Sequence, residues 1–295
     1  MLRFKQYITE GGHAVAGVTR INQENSMPTY NDIVSKFLPK LGLTKADVEL
    51  LGSVGKKAPG GSSGDIDIAT SAPAFLKQKG IESFNDILKK ISGVAKKLGY
   101  DYKEMPGIGI VSIGYPIVNH DGKQAGQTVQ TDFMVVDDIH YSKWAYFSPS
   151  YLDSTYSGYY RNILMFTIAK HVGLKVLENH KETGEPIKWE RHILSLDKGL
   201  DRGVQTNISA KTGKVVKATT MLSRENLSKD PNAIIELLFG KGHKAADVLT
   251  WEQAFKALTS KSFPHKALVP AIAKETAESL NNIGVPVPPE LDKLL

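Results

Sequence analysis

The sequence predicts an α+β chain: a mixed sheet flanked by helices, followed by a second, mixed α/β domain. Three observations carry this expectation. Short runs at 65–68, 109–118 and 128–136 are rich in β-formers and bounded by turn residues, as strands require. Residues 84–98 carry apolar side chains at helical spacing on one face. Beyond Glu178 the texture changes, with β-like stretches first and helical ones after. A length of 295 residues suits two domains at about 150 residues each. The expected division is a leader and linker over 1–27, a first domain over 28–178 and a second over 179–295.

In the leader, Phe4, Tyr7 and Ile8 stand at helical spacing before Gly11-Gly12. The stretch lacks the apolar core of about seven or more residues that a secretory signal needs, and residues 11–28 read as a polar linker. A helix is expected at 30–38, where Ile33, Val34, Phe37 and Leu38 form one stripe. Thr44 and Asp47 have the spacing of a capping box, and Val48 to Leu51 read as a brief strand ending in Gly52-Ser53. A Gly/Ser-rich loop at 59–64 leads into the strand Asp65-Ile66-Asp67-Ile68. Ser83 caps the helix over 84–98, and Gly99 stands where its C-terminal cap belongs.

The runs 109–118 and 128–136, separated by turn residues with Asp121-Gly122 at their head, predict an antiparallel hairpin. A helix follows at about 159–172. In the second domain, β-like stretches over 189–220 are broken by Gly199, Gly203 and a turn at 210–213. Helices are expected at 230–239, 250–258 and 266–283, and the proline-rich segment 285–289 must be extended.

Composition removes several function classes. With no cysteine, a disulfide scaffold, a zinc finger, a thiolate nucleophile and an iron–sulfur centre are all excluded. Any metal must be held by oxygen or imidazole. The longest apolar run, 163–169, is interrupted by Thr167 and falls short of the roughly 18 residues that cross a bilayer. No membrane partner is expected. The net charge of +6 is spread along the chain without a basic tail, which suits phosphate-bearing ligands without demanding nucleic acid.

Chemistry concentrates in the first domain. Side chains alternate faces along a strand, so Asp65 and Asp67 project to one side while Ile66 and Ile68 project to the other. In the later strand Val129, Thr131, Phe133 and Val135 share a face, which leaves Asp132 opposite them with Met134 and Val136. If the two strands are neighbours, three carboxylates meet. Oxygen-only ligation of that kind suits Mg²⁺ or Mn²⁺. Gly52 lets backbone N–H groups approach a phosphate, and the Ser53 hydroxyl with a following helix start would add donors. Lys56 and Lys57 stand where cations can neutralise a triphosphate.

Other motifs are poorer fits. A Walker A loop fails because Leu50 replaces its first glycine and Lys57 its Ser or Thr. Gly107-Ile108-Gly109 lies within a strand rather than before a helix. His120 and His140 flank the Asp132 strand as candidate site neighbours, and Asp137 and Asp138 compete with Asp132 for the third ligand. The aromatic residues Trp144, Tyr146, Tyr151, Tyr159 and Tyr160 suit either base stacking or an aromatic core. Arg161 and Lys170 are candidate phosphate contacts, whereas Lys89, Lys90, Lys96 and Lys97 read as a solvated helix face.

Leu51-Gly52-Ser53, then Gly64-Asp65-Ile66-Asp67-Ile68, then Thr131-Asp132-Phe133 resembles the signature of the DNA polymerase β-like nucleotidyltransferase superfamily. The resemblance spans about residues 48 to 137. It implies that Asp65, Asp67 and Asp132 are the catalytic, metal-holding residues, with Mg²⁺ or Mn²⁺ as cofactor. It implies further that Asp132 draws a proton from the acceptor hydroxyl and that Gly52 and Ser53 bind the β and γ phosphates. Lys56-Lys57 departs from the Arg or Tyr common in the minimal members. The implied reaction moves a nucleoside monophosphate from a nucleoside triphosphate to a hydroxyl on RNA, protein or a small molecule.

The opening run Met1 to Glu10 before Gly11 resembles the capsid-targeting peptides of internal head proteins in T-even-type phages, cut after an aliphatic-x-Glu by the prohead protease. That implies a protein packaged in the virion head with phage head assembly as partner, acting in the host cytoplasm after delivery. The alternative is a non-catalytic internal head protein that binds nucleic acid or scaffold.

Overall fold

A computed structural model describes residues 14–294; the leader peptide and its Glu10-Gly11 junction lie outside the described residues. The chain forms two compact units that meet in sequence between Thr155 and Tyr156. The change of texture at Glu178 thus falls inside the second unit. The helix over Gly158–Val172 packs on the strand Pro186–Ser195 and so belongs with the second sheet rather than the first.

The first unit opens with β1 (Ile21–Asn22) and helix α1 (Gln23–Asp32), which continues through a π-helical turn at Ile33–Phe37 into α2 (Leu38–Leu41). Then come β2 (Val48–Leu50), β3 (Ser62–Ser63), β4 (Asp65–Ser71), α3 (Ala72–Leu76) and α4 (Phe84–Lys97). Strands β5 (Tyr102–Met105), β6 (Ile110–Val118) and β7 (Gln124–Val136) and helix α5 (Ile139–Ala145) complete the unit. The expected helix at 30–38 begins seven residues earlier, at Gln23. Its start is hidden in the sequence because its buried face is polar: Thr29 exchanges hydrogen bonds with the backbone of Val118, accepting from its N–H at 3.0 Å.

The main sheet has the order β2-β4-β7-β6-β5. It is mixed, because β4 and β7 run parallel while every other pair is antiparallel. The α4 helix forms where its pattern predicts: Ser83 accepts from the Asp86 N–H while the Asp86 carboxylate accepts from the Ser83 N–H, a complete capping box. Its buried stripe, Ile87, Leu88, Ile91 and Ala95, joins Ile33, Phe37 and Leu38 over one face of the sheet. That face presents Ile66, Ile68, Ile113, Val129 and Phe133. A smaller cluster, Leu51, Ala69, Ile110, Met134 and Val136, occupies part of the other face, and Ile139 and Tyr146 pack against it. The sheet thus carries the helical layer on one side; on the other, this cluster packs on one part while Val15 and Val18 lie against Gly114 of β6.

The second unit contains a four-stranded antiparallel sheet in the order β11-β10-β9-β8, built from β8 (Lys175–Asn179), β9 (Pro186–Ser195), β10 (Gly199–Ile208) and β11 (Val215–Ser228). Helices at Pro231–Phe239, Trp251–Thr259 and Val269–Asn282 follow the expected positions, and a short turn of helix at Pro289–Asp292 follows the extended segment. No helix among the described residues is long and apolar enough to cross a membrane.

Phe133 ties the Asp132 strand to the helical layer: it is fully buried and its ring lies 5.0 Å from that of Phe37. Phe133→Ala is expected to lower the unfolding free energy by about 3–5 kcal/mol, read as a shift of the chemical denaturation midpoint.

Candidate active site

The parallel pairing of β4 with β7 sets Asp67 directly beside Asp132, and Asp65 beside Gln130. Parallel partners in register point to the same face, so three carboxylates occupy one side of two adjacent strands. Each offers an oxygen within 4.8 Å of the others. Among the described residues this is the one such group of acidic or histidine side chains. Their opposite neighbours Ile66, Ile68, Thr131 and Phe133 are all buried in or beside the core. The alternation expected from the sequence therefore holds, and hydrophobic burial on one face is what turns the acids to the other.

Placing three like charges together is costly. Asp67 sits with its carboxyl pushed well above the usual carboxylate range, first by burial and then by the charges of Asp65 and Asp132. A divalent cation removes that conflict, and a donor set made only of carboxylate oxygens fits Mg²⁺ or Mn²⁺ better than a softer metal.

Gly52 is built against this cluster. The Leu51 N–H donates to the Asp67 carbonyl at 2.8 Å, and the chain then turns at Gly52 with φ of 66°. A Cβ added there would lie 2.6 Å from Asp67 Oδ2. Glycine is thus required twice, by the left-handed backbone and by the approach to the carboxylate. No helix follows Ser53; residues 52–55 form a tight turn closed by the Lys56 N–H to the Ser53 carbonyl at 3.1 Å. The helix expected there is replaced because Val54 is buried and Gly55 again takes a positive φ, 75°. The amides of Gly52, Ser53, Val54 and Gly55 donate to no group among the described residues, so the turn itself presents a run of N–H donors. The Ser53 hydroxyl lies 3.4 Å from that of Ser63.

The two lysines part company. Lys56 is half-buried with its ammonium 5.1 Å above the Phe147 ring, and burial pulls its pKa down, helped by nearby Lys143. Lys57 donates its backbone N–H to Gln23 Oε1 at 3.3 Å, anchoring the loop to α1. Asp138 is the N-cap of α5, accepting from the N–H groups of His140 and Tyr141, and Asp137 is exposed; neither joins the cluster. His120 and His140 are exposed. Arg161 and Lys170, candidates for phosphate contact, are internal to the second unit: Arg161 is buried and donates to the Val248 carbonyl, and Lys170 pairs with Glu275 at 2.6 Å. Tyr160 packs into an aromatic core, tilted against Tyr156 and edge-on to Trp251, whereas Tyr151 is exposed and donates its N–H to the Lys56 carbonyl.

Gln130 is the residue that sequence reasoning missed. It is buried beside Asp65, and its amide nitrogen donates to both oxygens of Asp132 at 3.0 and 3.1 Å. Phe147, beneath Lys56, is a second. A glutamine in a strand belongs to no motif, and its only sequence signal is a position two residues before Asp132, on the same face.

No protein-family model matches this chain, and no curated protein matches it by sequence. Among solved structures, a Cid1 poly(U) polymerase with MgGTP bound is similar at 13% identity, covering 99% of this chain and 98% of that one. The TM-score is 0.29.

The raised pKa of Asp67 fixes the sign of a pH effect. The unfolded carboxyl titrates at about 3.9 and the folded one higher, so the folded state holds the proton longer. Stability is retained below the unfolded value and lost as pH rises through the folded one. In metal-free protein, Asp67→Asn is expected to raise the thermal midpoint at pH 7 to 8, with the gain vanishing near pH 4. Magnesium should stabilise the native protein at neutral pH and not the variant; differential scanning fluorimetry reads both. Gly52→Ala should forfeit the magnesium-dependent shift through its clash with Asp67.

Proposed function

We propose that the chain is a nucleotidyltransferase that moves a nucleoside monophosphate from a nucleoside triphosphate to a hydroxyl on RNA, protein or a small molecule. The observation that carries this reading is the convergence of Asp65, Asp67 and Asp132 against the Gly52 turn. Carboxylates alone would repel a triphosphate; carboxylates beside a run of backbone N–H groups that find no acceptor among the described residues suit a metal and a phosphate chain together.

Asp65, Asp67 and Asp132 are the residues that hold the cofactor, Mg²⁺ or Mn²⁺. When bound, such an ion neutralises triphosphate charge and favours ionisation of an acceptor hydroxyl. The turn amides from Gly52 to Gly55 and the Ser53 hydroxyl hold the β and γ phosphates, and Lys56 adds positive charge beside them. Asp132 accepts the proton of the acceptor hydroxyl. The oxygen then bonds to the α-phosphorus, the bond from that phosphorus to the bridging oxygen breaks, and pyrophosphate leaves with the electron pair. Catalysis on this plan is positioning and electrostatics, with no covalent enzyme intermediate.

Transfer is tested with triphosphates labelled separately at the α and γ phosphates, in magnesium, with mixed RNA and protein acceptors. Label from the α position should enter a macromolecule or small acceptor while γ label appears as pyrophosphate. Asp65→Ala, Asp67→Ala and Asp132→Ala should each reduce the rate by roughly a hundredfold or more, as losing a main electrostatic contact does. Release of the diphosphate would instead mark a γ-phosphotransferase, and label remaining wholly on the nucleotide would favour a non-catalytic binding protein.

A further inference from the structure

Four contacts with three residues converge on the Gln130 side chain. Its Oε1 accepts from the Ala14 N–H at 2.7 Å and the Val15 N–H at 3.3 Å, while its Nε2 reaches both oxygens of Asp132. Backbone N–H groups can only donate and a carboxylate can only accept, so these partners allow one orientation of the amide. Gln130 is 1% exposed, and water does not compete for either end. The near-equal distances to the two Asp132 oxygens fix the rotation of that carboxylate. The residues that supply the donors belong to a segment pinned again further on: Thr19 N–H donates to the Thr128 carbonyl at 2.8 Å, and Ile21–Asn22 pair with Ser62–Ser63 just before Asp65. The segment therefore holds the Asp132 strand at Thr128 and Gln130 and pairs with β3, which leads into the Asp65 strand.

We infer that Gln130 is a positioning residue for the metal-holding Asp132, and that the backbone of Ala14 and Val15 sets its polarity. The inference rests on the nucleotidyltransferase reading, in which Asp132 is a ligand. A ligand carboxylate whose oxygens are already aligned by a neutral donor loses less freedom on binding an ion, and the donor relieves repulsion without competing as a further anion.

The test is Mn²⁺ binding to the full chain, followed by electron paramagnetic resonance without any substrate, with circular dichroism to verify folding. Gln130→Met keeps the length of the side chain and removes both ends of the relay; it should weaken Mn²⁺ binding roughly tenfold or more. It should also raise the magnesium needed for half-maximal transfer while leaving KM for the triphosphate near its native value. Ala14→Pro removes one donor to Oε1. A smaller loss in the same direction is expected from it alone, and none when it is added to Gln130→Met.

Native affinity in Gln130→Met, or an equal cost of Ala14→Pro in both backgrounds, would overturn the inference. Should Gln130→Met fail to fold, unchanged affinity in Ala14→Pro overturns it instead. Asp67→Ala separates this failure from that of the underlying reading. If it binds Mn²⁺ as the native chain does, the three carboxylates are not the metal site and both fall; if it loses the ion while Gln130→Met retains it, only the positioning role falls.

Discussion

Three carboxylates forced together by strand register are the constraint on which the rest of this molecule turns. Asp67 and Asp132 are paired residues of parallel neighbours, so their separation cannot relax without unpairing the centre of the sheet. The hydrophobic layer beneath enforces it, because a one-residue slip of β7 would send Asp132 inward and Phe133 outward. The stability of the core is thus spent on holding an electrostatically unfavourable cluster. Such conflicts are characteristic of sites that await a ligand.

The surroundings answer the cluster in three ways. Gly52 brings backbone to within a Cβ's reach of Asp67, which supplies N–H dipoles where side chains would not fit. Gln130 supplies a neutral donor to Asp132. Lys56 keeps a cation in the neighbourhood but rests it on the Phe147 ring, near Glu49 and Lys143, rather than among the acids. Neither the Gly52 turn nor Gln130 adds a charge of its own to the cluster.

Much of this is legible in the sequence because a period of two decides faces. Ile-Asp-Ile alternation places the first two acids, Phe133 and Val135 place the third, and Ser83 marks the start of the main helix. What stays hidden has physical reasons. The early part of α1 buries Ser26 and Thr29 rather than an apolar stripe, so its periodicity does not show. The Gln130 relay joins residues 116 positions apart, and its partners are backbone amides that every sequence contains. The turn after Ser53 looks like a helix start, yet Gly52 and Gly55, both at positive φ, close it as a loop. The short strand β5 and helix α5 carry too few residues for a pattern to rise above their neighbours.

The most direct measurement is anomalous diffraction from crystals of the native chain grown with manganese and a non-hydrolysable nucleoside triphosphate analogue. A manganese peak bounded by Asp65, Asp67 and Asp132, with the β and γ phosphates against the Gly52–Gly55 turn, is the expected result. A triphosphate bound elsewhere, with no anomalous density among the three carboxylates, would contradict it.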